Sequence, residues 1–224
     1  MPFDYYDKKL GAKKLRRVYE IAPPRVKQYL EAEVRHVLSL VRPGGIVLEL
    51  GCGYGRVLKQ LALQAGELYG VDTSVASLVL ARSVLSEYEN VFLAQMNAAH
   101  LAFRDHCFDL VVCIQNGISA FHVDQRQLIQ ESMRVTKPGG LILFSSYSHK
   151  FWDHRLHWFE LQVQHGLLGE IDYEKTGHGV MVCKDGFTAT TVEEHRFMEL
   201  CQDLSTQVNV VEVDDSSLFC EIRL

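Results

Sequence analysis

The stretch that decides the fold spans residues 47–56 and reads VLELGCGYGR. An apolar run that carries one acidic residue, Glu49, leads into three glycines at every second position, Gly51, Gly53 and Gly55. A buried strand that ends in such a turn and restarts as a helix exposes bare backbone to a ligand, and the helix amino terminus adds partial positive charge. The spacing therefore predicts a cofactor-binding loop.

The composition is that of a soluble globular protein with one core. The chain has 224 residues, of which 47% are hydrophobic and 23% charged, and its net charge of -5 gives no general attraction to nucleic acids or membranes. It shows neither a signal-peptide pattern nor an apolar run long enough for a membrane span. The six cysteines contain no Cys-x-x-Cys pair, which favours reduced, buried thiols over a metal site or disulfides. We expect a single cytoplasmic domain, without metal, that binds a small molecule.

Outward from the loop, the pattern predicts alternating strands and helices. Residues 8–42 are helical in pattern and are interrupted at Pro23-Pro24. Predicted strands cover 46–50, 68–71, 91–95, 108–114 and 141–145, and predicted helices cover 55–65, 74–87 and 124–135. This alternation is typical of a parallel sheet covered on both faces.

The last third of the chain changes character. A helix over 191–204 and strands over 208–213 and 218–222 predict a terminal antiparallel hairpin. The less regular segment before them contains a helix candidate at 151–165 and two short strands at 180–183 and 187–190. We interpret this segment as an insertion that caps the site.

Two classes of cofactor suit a strand, glycine turn and helix. Dinucleotide-binding enzymes use Gly-x-Gly-x-x-Gly, and here Arg56 stands in the place of the third glycine. Asp72 ends the second strand, where a carboxylate can accept both hydroxyls of a ribose in either class.

Three further motifs separate the two classes. They are Asn97-Ala98 after the third strand, the apolar fourth strand over 108–112, and VTKPGGL at 135–141. With them the chain resembles the class I S-adenosylmethionine-dependent methyltransferases. The resemblance implies an α/β, three-layer α/β/α Rossmann-like fold whose seven-stranded mixed sheet has the order 3-2-1-4-5-7-6, with strand 7 antiparallel. It divides one domain, 1–224, into an N-terminal helical segment (1–42), a cofactor-binding core (43–147), a cap insertion between strand 5 and the last helix (148–190) and a C-terminal helix and hairpin (191–224).

The resemblance also implies a cofactor site for S-adenosylmethionine. Its expected residues are Glu49, Gly51, Cys52, Gly53, Gly55, Arg56, Asp72, Thr73, Ser74, Asn97, Ala98, Gln115 and Asn116. These assignments have structural alternatives that need no ligand. The glycines could simply make a tight turn, Asp72 could simply cap the next helix, and Asn97 could simply form a turn.

The methyl acceptor is expected beside the end of the fifth strand. The end of the fourth strand, IQNGI at 114–118, lacks the Asn-Pro-Pro-Tyr type of motif, which lowers the probability of nucleic-acid bases and glutamine side chains as acceptors. The basic face formed by Lys8, Lys9, Lys13, Lys14, Arg16 and Arg17 is better explained as a solvated helix face than as a phosphate-binding patch.

Aromatic and titratable side chains supply the candidate acceptor site. On a helix, His154, His157, Trp158 and Leu161 would share one face and could form a wall over the cofactor, or could only pack the cap onto the sheet. Candidate substrate-binding residues are Tyr19, Tyr147, His149, Trp152, His154 and Trp158, and candidate catalytic residues are Asn116, His122, Tyr147 and His149. Tyr5 and Tyr6 are further aromatic candidates near the amino terminus.

Three functions remain open on the sequence. The first is a methyltransferase that acts on a small molecule as a monomer or homodimer, and the second is a non-catalytic cofactor-binding subunit. The third is a nicotinamide-dependent oxidoreductase, which Arg56 makes the least favoured.

Overall fold

Two helices precede the central sheet in the computed structural model, which describes residues 12–224. They are α1, Lys13–Glu20, and α2, Pro24–Leu40. Pro23 is extended, with φ -61° and ψ 162°, and Pro24 lies in the first turn of α2, where a missing N–H leaves no hydrogen bond unmade. The predicted interruption at Pro23-Pro24 is confirmed. The start of the first predicted helix, Tyr5 and Tyr6 lie outside the described residues.

A seven-stranded mixed sheet forms the middle layer. Its strands are β1 (Ile46–Leu50), β2 (Glu67–Asp72), β3 (Val91–Gln95), β4 (Phe108–Cys113), β5 (Thr136–Tyr147), β8 (Gln207–Val213) and β9 (Ser217–Arg223). The order is β3-β2-β1-β4-β5-β9-β8, in which β1 to β5 pair in parallel and β9 is antiparallel to both of its neighbours. Since β8 and β9 are the sixth and seventh strands of this sheet, the predicted order and antiparallel seventh strand are confirmed.

Helices cover both faces of the sheet. The described helices that follow β1 are α3 (Leu58–Leu61), α4 (Val75–Val84), α5 (Gly117–Ala120), α6 (Gln125–Val135), α7 (Trp152–Gln164) and α8 (Glu194–Cys201). Of these, α7 packs in a separate cluster, described below. Successive residues of a strand face opposite sides. Leu48 accordingly packs in one buried cluster with Leu128 of α6, whereas Val47 packs in a second cluster with Leu58 of α3. The expected three-layer α/β/α fold is confirmed.

The helix predicted over 55–65 is much shorter in the structure. Only Leu58–Leu61 is helical, because Gly55 has a left-handed φ of +84° and its N–H bonds to Cys52 O at 2.9 Å in a tight turn. The fifth strand differs in the opposite sense, since it extends over Thr136–Tyr147 instead of 141–145.

A third buried cluster lies apart from the two faces of the sheet. It joins the N-terminal helices to the segment between β5 and α8, with Val18 and Tyr29 on one side and Trp158 and Met181 on the other. In that segment β6 (Val180–Val182) and β7 (Thr188–Thr190) pair as a separate antiparallel sheet. We call α1, α2, α7 and this small sheet the roof. Its attachment to the end of β5 sets it at the carboxyl edge of the parallel strands, next to the glycine loop.

Candidate functional site

The glycine loop follows β1 at the carboxyl edge of the sheet. Gly51, Gly53 and Gly55 all have positive φ, at +72°, +53° and +84°, which L side chains rarely adopt. The N–H groups of Gly51 and Cys52 both donate to Val71 O, at 2.8 and 3.0 Å, which fixes the loop against the end of β2. A tight turn without a ligand would have the same φ angles, so the angles alone do not define a binding site and further contacts are needed.

Asp72 provides the first of these contacts. Its Oδ2 accepts a hydrogen bond from Gly53 N and its Oδ1 accepts one from Ser74 N, both at 2.8 Å. These two backbone donors orient the carboxylate at the end of β2. Ser74, rather than Asp72, caps α4, because its side chain accepts from Ser77 N at 3.3 Å. Thr73 beside it is exposed.

Three buried polar atoms near the loop have no hydrogen-bond partner in the part of the chain that the structure describes. They are Glu49 Oε2, Arg56 Nη2 and Gln115 Nε2. Burial raises the pKa of Glu49 to about 8, while Arg56 opposes this rise and Asp72 adds to it. Since buried polar atoms are normally satisfied, one acceptor and two donors left unpaired together indicate a missing polar ligand.

The end of β4 lies next to this group of atoms. Gln115 and Asn116 are consecutive left-handed residues, with φ of +57° and +62°, although neither is glycine. Asn116 is buried and its Oδ1 accepts from Ser146 Oγ at 2.8 Å, so this side chain is fixed between β4 and β5. Such backbone strain persists where surrounding contacts enforce it, and it is common at functional sites.

The end of β3 carries the residues expected near the adenine. Asn97 Oδ1 accepts from Ala99 N at 2.9 Å, the turn-forming contact that was its structural alternative. Ala98 is buried in the same cluster as Leu50 and Val71. An adenine-binding role for both residues therefore stays a prediction.

Two apolar side chains that the sequence analysis missed cover the glycine loop. The ring of Phe121 lies so close to Gly51 that a Cβ there would overlap it, and Leu15 Cδ2 of α1 would lie 2.9 Å from a Cβ at Gly53. The only sequence signal for Phe121 is its position shortly after β4, the strand next to β1.

Tyr19 connects the roof to the loop. Its hydroxyl donates to Gln115 Oε1 at 2.8 Å, and the guanidinium carbon of Arg56 lies 4.8 Å from the centre of its ring. The ring centres of Tyr54 and Trp158 lie 6.1 and 6.2 Å from that of Tyr19. Trp158 is buried and donates from Nε1 to Val18 O at 3.1 Å, so the structure brings both predicted substrate-binding residues to the glycine loop.

Tyr147 is the other predicted aromatic residue that the roof buries. Its ring centre lies 5.5 Å from that of Tyr29 and 4.3 Å from the guanidinium carbon of Arg155. Burial raises the pKa of Tyr147, and Arg155 opposes this rise. The phenol is thus neutral near pH 7.

The predicted wall over the cofactor is wrong for two of its four residues, the histidines. Its predicted members are His154, His157, Trp158 and Leu161. His154 and His157 are exposed, and α7 instead buries Arg155, Trp158, Phe159 and Gln162. Arg155 can be buried because it donates to Gly179 O, Ala189 O and Thr191 Oγ1 at 2.8–3.0 Å.

The remaining candidates differ in burial. His149 is exposed, Trp152 is half-buried, and His122 is half-buried with a left-handed φ of +51°. Burial lowers the pKa of His122, which favours its neutral form.

Residues 12–224 contain no cluster of three metal-ligating side chains, and no helix among them is long and apolar enough to traverse a bilayer.

This strand order, with a glycine loop after β1, is the Rossmann-like fold found in solved methyltransferase structures. Residues 47–140 match the family model described as a methyltransferase domain. The chain is 35% identical over 118 residues to a ubiquinone/menaquinone biosynthesis C-methyltransferase of Legionella pneumophila. The aligned segment covers 50% of this chain and 46% of that relative. It is 40% identical over 103 residues to a demethylmenaquinone methyltransferase of Lactiplantibacillus plantarum, and this alignment covers 43% of each chain. The chain thus spans less than half the length of these relatives.

Solved structures share the fold across nearly the whole chain. The N-methyltransferase NodS of Bradyrhizobium japonicum, in complex with S-adenosyl-L-homocysteine, has a TM-score of 0.65 at 16% identity and covers 99% of this chain and 97% of its own. A methyltransferase of Aquifex aeolicus has a TM-score of 0.61 at 16% identity and covers 93% and 97%.

The residues present fit S-adenosylmethionine. Its methionine end carries an ammonium and a carboxylate group, which require an acceptor and donors. Glu49 Oε2 would supply the acceptor, and Arg56 Nη2 and Gln115 Nε2 would supply the donors, since all three are buried without a hydrogen-bond partner among the described residues. Asp72, at the end of the neighbouring strand, provides the carboxylate that a ribose requires.

Proposed function

We propose that this protein is an S-adenosylmethionine-dependent methyltransferase that methylates a small molecule by in-line displacement. The observation that carries this proposal is the set of unpaired atoms Glu49 Oε2, Arg56 Nη2 and Gln115 Nε2 beside the glycine loop. When bound, the sulfonium supplies an activated methyl group, and the chain's task is to align a nucleophile with it and to exclude water.

Each part of the donor has proposed partners in the chain. Glu49, Arg56 and Gln115 bind the methionine end, and the backbone of Gly51, Cys52, Gly53 and Gly55 lies beneath it. Asp72 accepts the ribose hydroxyls, with Thr73 and Ser74 beside the adenosine, and Asn97 and Ala98 border the adenine. Asn116 fixes the end of β4 through its bond to Ser146.

We propose that the acceptor lies between the loop and the roof, against Tyr19, Tyr147 and Trp158. The half-buried Trp152 borders this space, and the exposed His149 and His154 contribute only at its rim. Of the catalytic candidates, His122 is the base best suited to a hydroxyl acceptor, because its lowered pKa keeps it neutral. Phenols and hydroquinones are the first acceptors to test, since the relatives named above act in quinone biosynthesis and the site is rich in aromatic side chains.

The wider setting belongs to the same proposal. The protein acts as one domain with the divisions given above, in the cytoplasm, as a monomer or homodimer and without nucleic acid or membrane as a partner. Its net charge of -5 supports this reading.

The experiment is titration calorimetry with S-adenosylmethionine, S-adenosylhomocysteine and NAD. We expect the two adenosyl ligands to bind the wild-type chain and NAD not to bind. Asp72→Ala removes the carboxylate and Gly53→Val drives a side chain into Leu15, so both variants should lose donor binding. Asp153→Ala, at an exposed position on α7, is the matched control and should bind normally.

A second measurement addresses catalysis. The purified chain is incubated with S-adenosylmethionine and a panel of phenols, hydroquinones, amines and carboxylates, and formation of S-adenosylhomocysteine is followed. Acceptor-dependent turnover lost in Asp72→Ala supports the enzyme. Tight donor binding without turnover on any acceptor favours a non-catalytic subunit, and binding of NAD alone overturns the proposal.

A further inference from the structure

One buried carboxyl group has no role in the function proposed above. Glu33 of α2 has no exposed surface. Its Oε1 accepts a hydrogen bond from Ser217 Oγ at 2.9 Å, and its Oε2 accepts one from Gln115 N at 3.1 Å. The Ser145 hydroxyl is a third donor to this carboxyl group. A single side chain therefore joins α2 to β5, to β9 and to the end of β4.

The backbone that Glu33 contacts is held in an unfavourable conformation. Gln115 and Asn116 are left-handed in succession, a conformation that residues other than glycine rarely adopt. Gln115 N divides its hydrogen bond between Glu33 and Ser145 Oγ, the latter at 2.8 Å. This pair of acceptors offsets the strain at the point where the chain turns from β4 into the site.

The left-handed turn determines where the Gln115 side chain lies. From it Gln115 Oε1 accepts the Tyr19 hydroxyl, while Nε2 is buried without a partner among the described residues. Resting on the function proposed above, we infer that Glu33 is a positioning residue, which holds the Gln115 backbone so that its side chain reaches both Tyr19 and the methionine end of the donor. Glu33 acts through Gln115 and does not touch the donor itself.

A double-mutant cycle tests this inference, with S-adenosylhomocysteine as the probe and titration calorimetry as the assay. Glu33→Met keeps the length of the side chain but removes its acceptors, and we expect Kd to rise about tenfold. Gln115→Ala should raise Kd by a similar factor. The double variant should bind no more weakly than Gln115→Ala alone, because Glu33 has no effect once the side chain that it positions is gone.

Two further variants separate positioning from a general structural role. Glu33→Gln retains an oxygen that accepts from Gln115 N and should stay within about threefold of the wild-type Kd. Ser217→Ala removes a different bond to the same carboxyl group and should leave Kd unchanged, whatever its effect on the melting temperature. Near-ultraviolet circular dichroism verifies folding of each variant. If Glu33→Met does not fold, Glu33→Asp, which withdraws the carboxyl group from Gln115, replaces it in the cycle.

The outcomes are distinct. Additive losses in the cycle, or a Glu33→Gln variant as impaired as Glu33→Met, overturn the inference while donor binding by the wild-type chain leaves the proposed function intact. Failure of the wild-type chain to bind either adenosyl ligand overturns the proposed function, and the inference with it.

Discussion

Replacing Glu49 by glutamine is expected to remove the part of the pH dependence of donor binding that this carboxyl group contributes. Burial raises the pKa of Glu49 to about 8, with Arg56 opposing and Asp72 adding to the rise. At pH 7 the carboxyl group is therefore mostly protonated. Because the donor's ammonium group pairs with the ionised carboxylate, Glu49 must release its proton on binding.

The size of the effect follows from that pKa. Well below the pKa, each unit of pH lowers the ionised fraction about tenfold, which corresponds to about 1.4 kcal/mol. About half of the Glu49 carboxyl groups are ionised at pH 8 and about 1% at pH 6, so the Kd of the wild-type chain for S-adenosylmethionine should rise about 50-fold between these two pH values, or about 2.3 kcal/mol. The amide side chain introduced by Glu49→Gln cannot ionise, so this variant should have a higher Kd at pH 8 and should lack the rise in Kd that Glu49 causes at lower pH.

The assay is titration calorimetry at pH 6, 7 and 8 in two buffers of different ionisation enthalpy, which counts the protons released. Any titration of the ligand's own amino group is common to both proteins and cancels in the comparison. Glu67→Gln, an exposed acid-to-amide change at the start of β2, serves as the control. Equal pH dependence of Kd in the wild-type chain and in Glu49→Gln would refute the role given to this carboxyl group.

Three other predictions concern stability. Gly51→Ala should lower stability by about 1–2 kcal/mol in urea denaturation, since its Cβ overlaps Phe121 at a φ of +72°, and Phe121→Leu in the same chain should recover part of the loss. Arg155→Met removes the buried hydrogen bonds to Gly179 O, Ala189 O and Thr191 Oγ1 and should cost about 2–4 kcal/mol. Arg126→Met on the surface should cost under about 1 kcal/mol, and equal losses would contradict the buried role. Burial raises the pKa of Glu33 to about 7, so the stability of the wild-type chain should fall as pH rises from about 4.5 through 7. Glu33→Gln should remove this pH-dependent component, which amounts to about 3 kcal/mol. Parallel profiles of stability against pH for the two proteins would contradict the prediction.

The sheet could be predicted from the sequence because its strands are short apolar runs separated by helical patterns. Strand β3 matches its predicted range, and β1 ends at Leu50 as the glycine pattern requires. The order of the strands came from the family resemblance rather than from these patterns, since periodicity does not specify which strands are neighbours.

The errors arise where local pattern is overridden by long-range contacts. The periodicity of α7 gives the residues that share a face but not the face that turns inward, and the carbonyl groups around Arg155 decide it. The role of Glu33 depends on hydrogen bonds to Ser217 and Gln115, 184 and 82 residues away, so no local signal marks it. Orphaned atoms such as Arg56 Nη2 are likewise visible only in three dimensions.

Helix α1 contacts three parts of the site within eight residues. Ala12 N, just before it, bonds to Ser77 Oγ on α4, Leu15 lies over Gly53, and Tyr19 bonds to Gln115. A rigid helix cannot move one of these side chains without moving the others. A ligand that displaces any one of these contacts beside the glycine loop therefore shifts α1 as a whole. Binding at the loop and the position of the roof are coupled through this one helix.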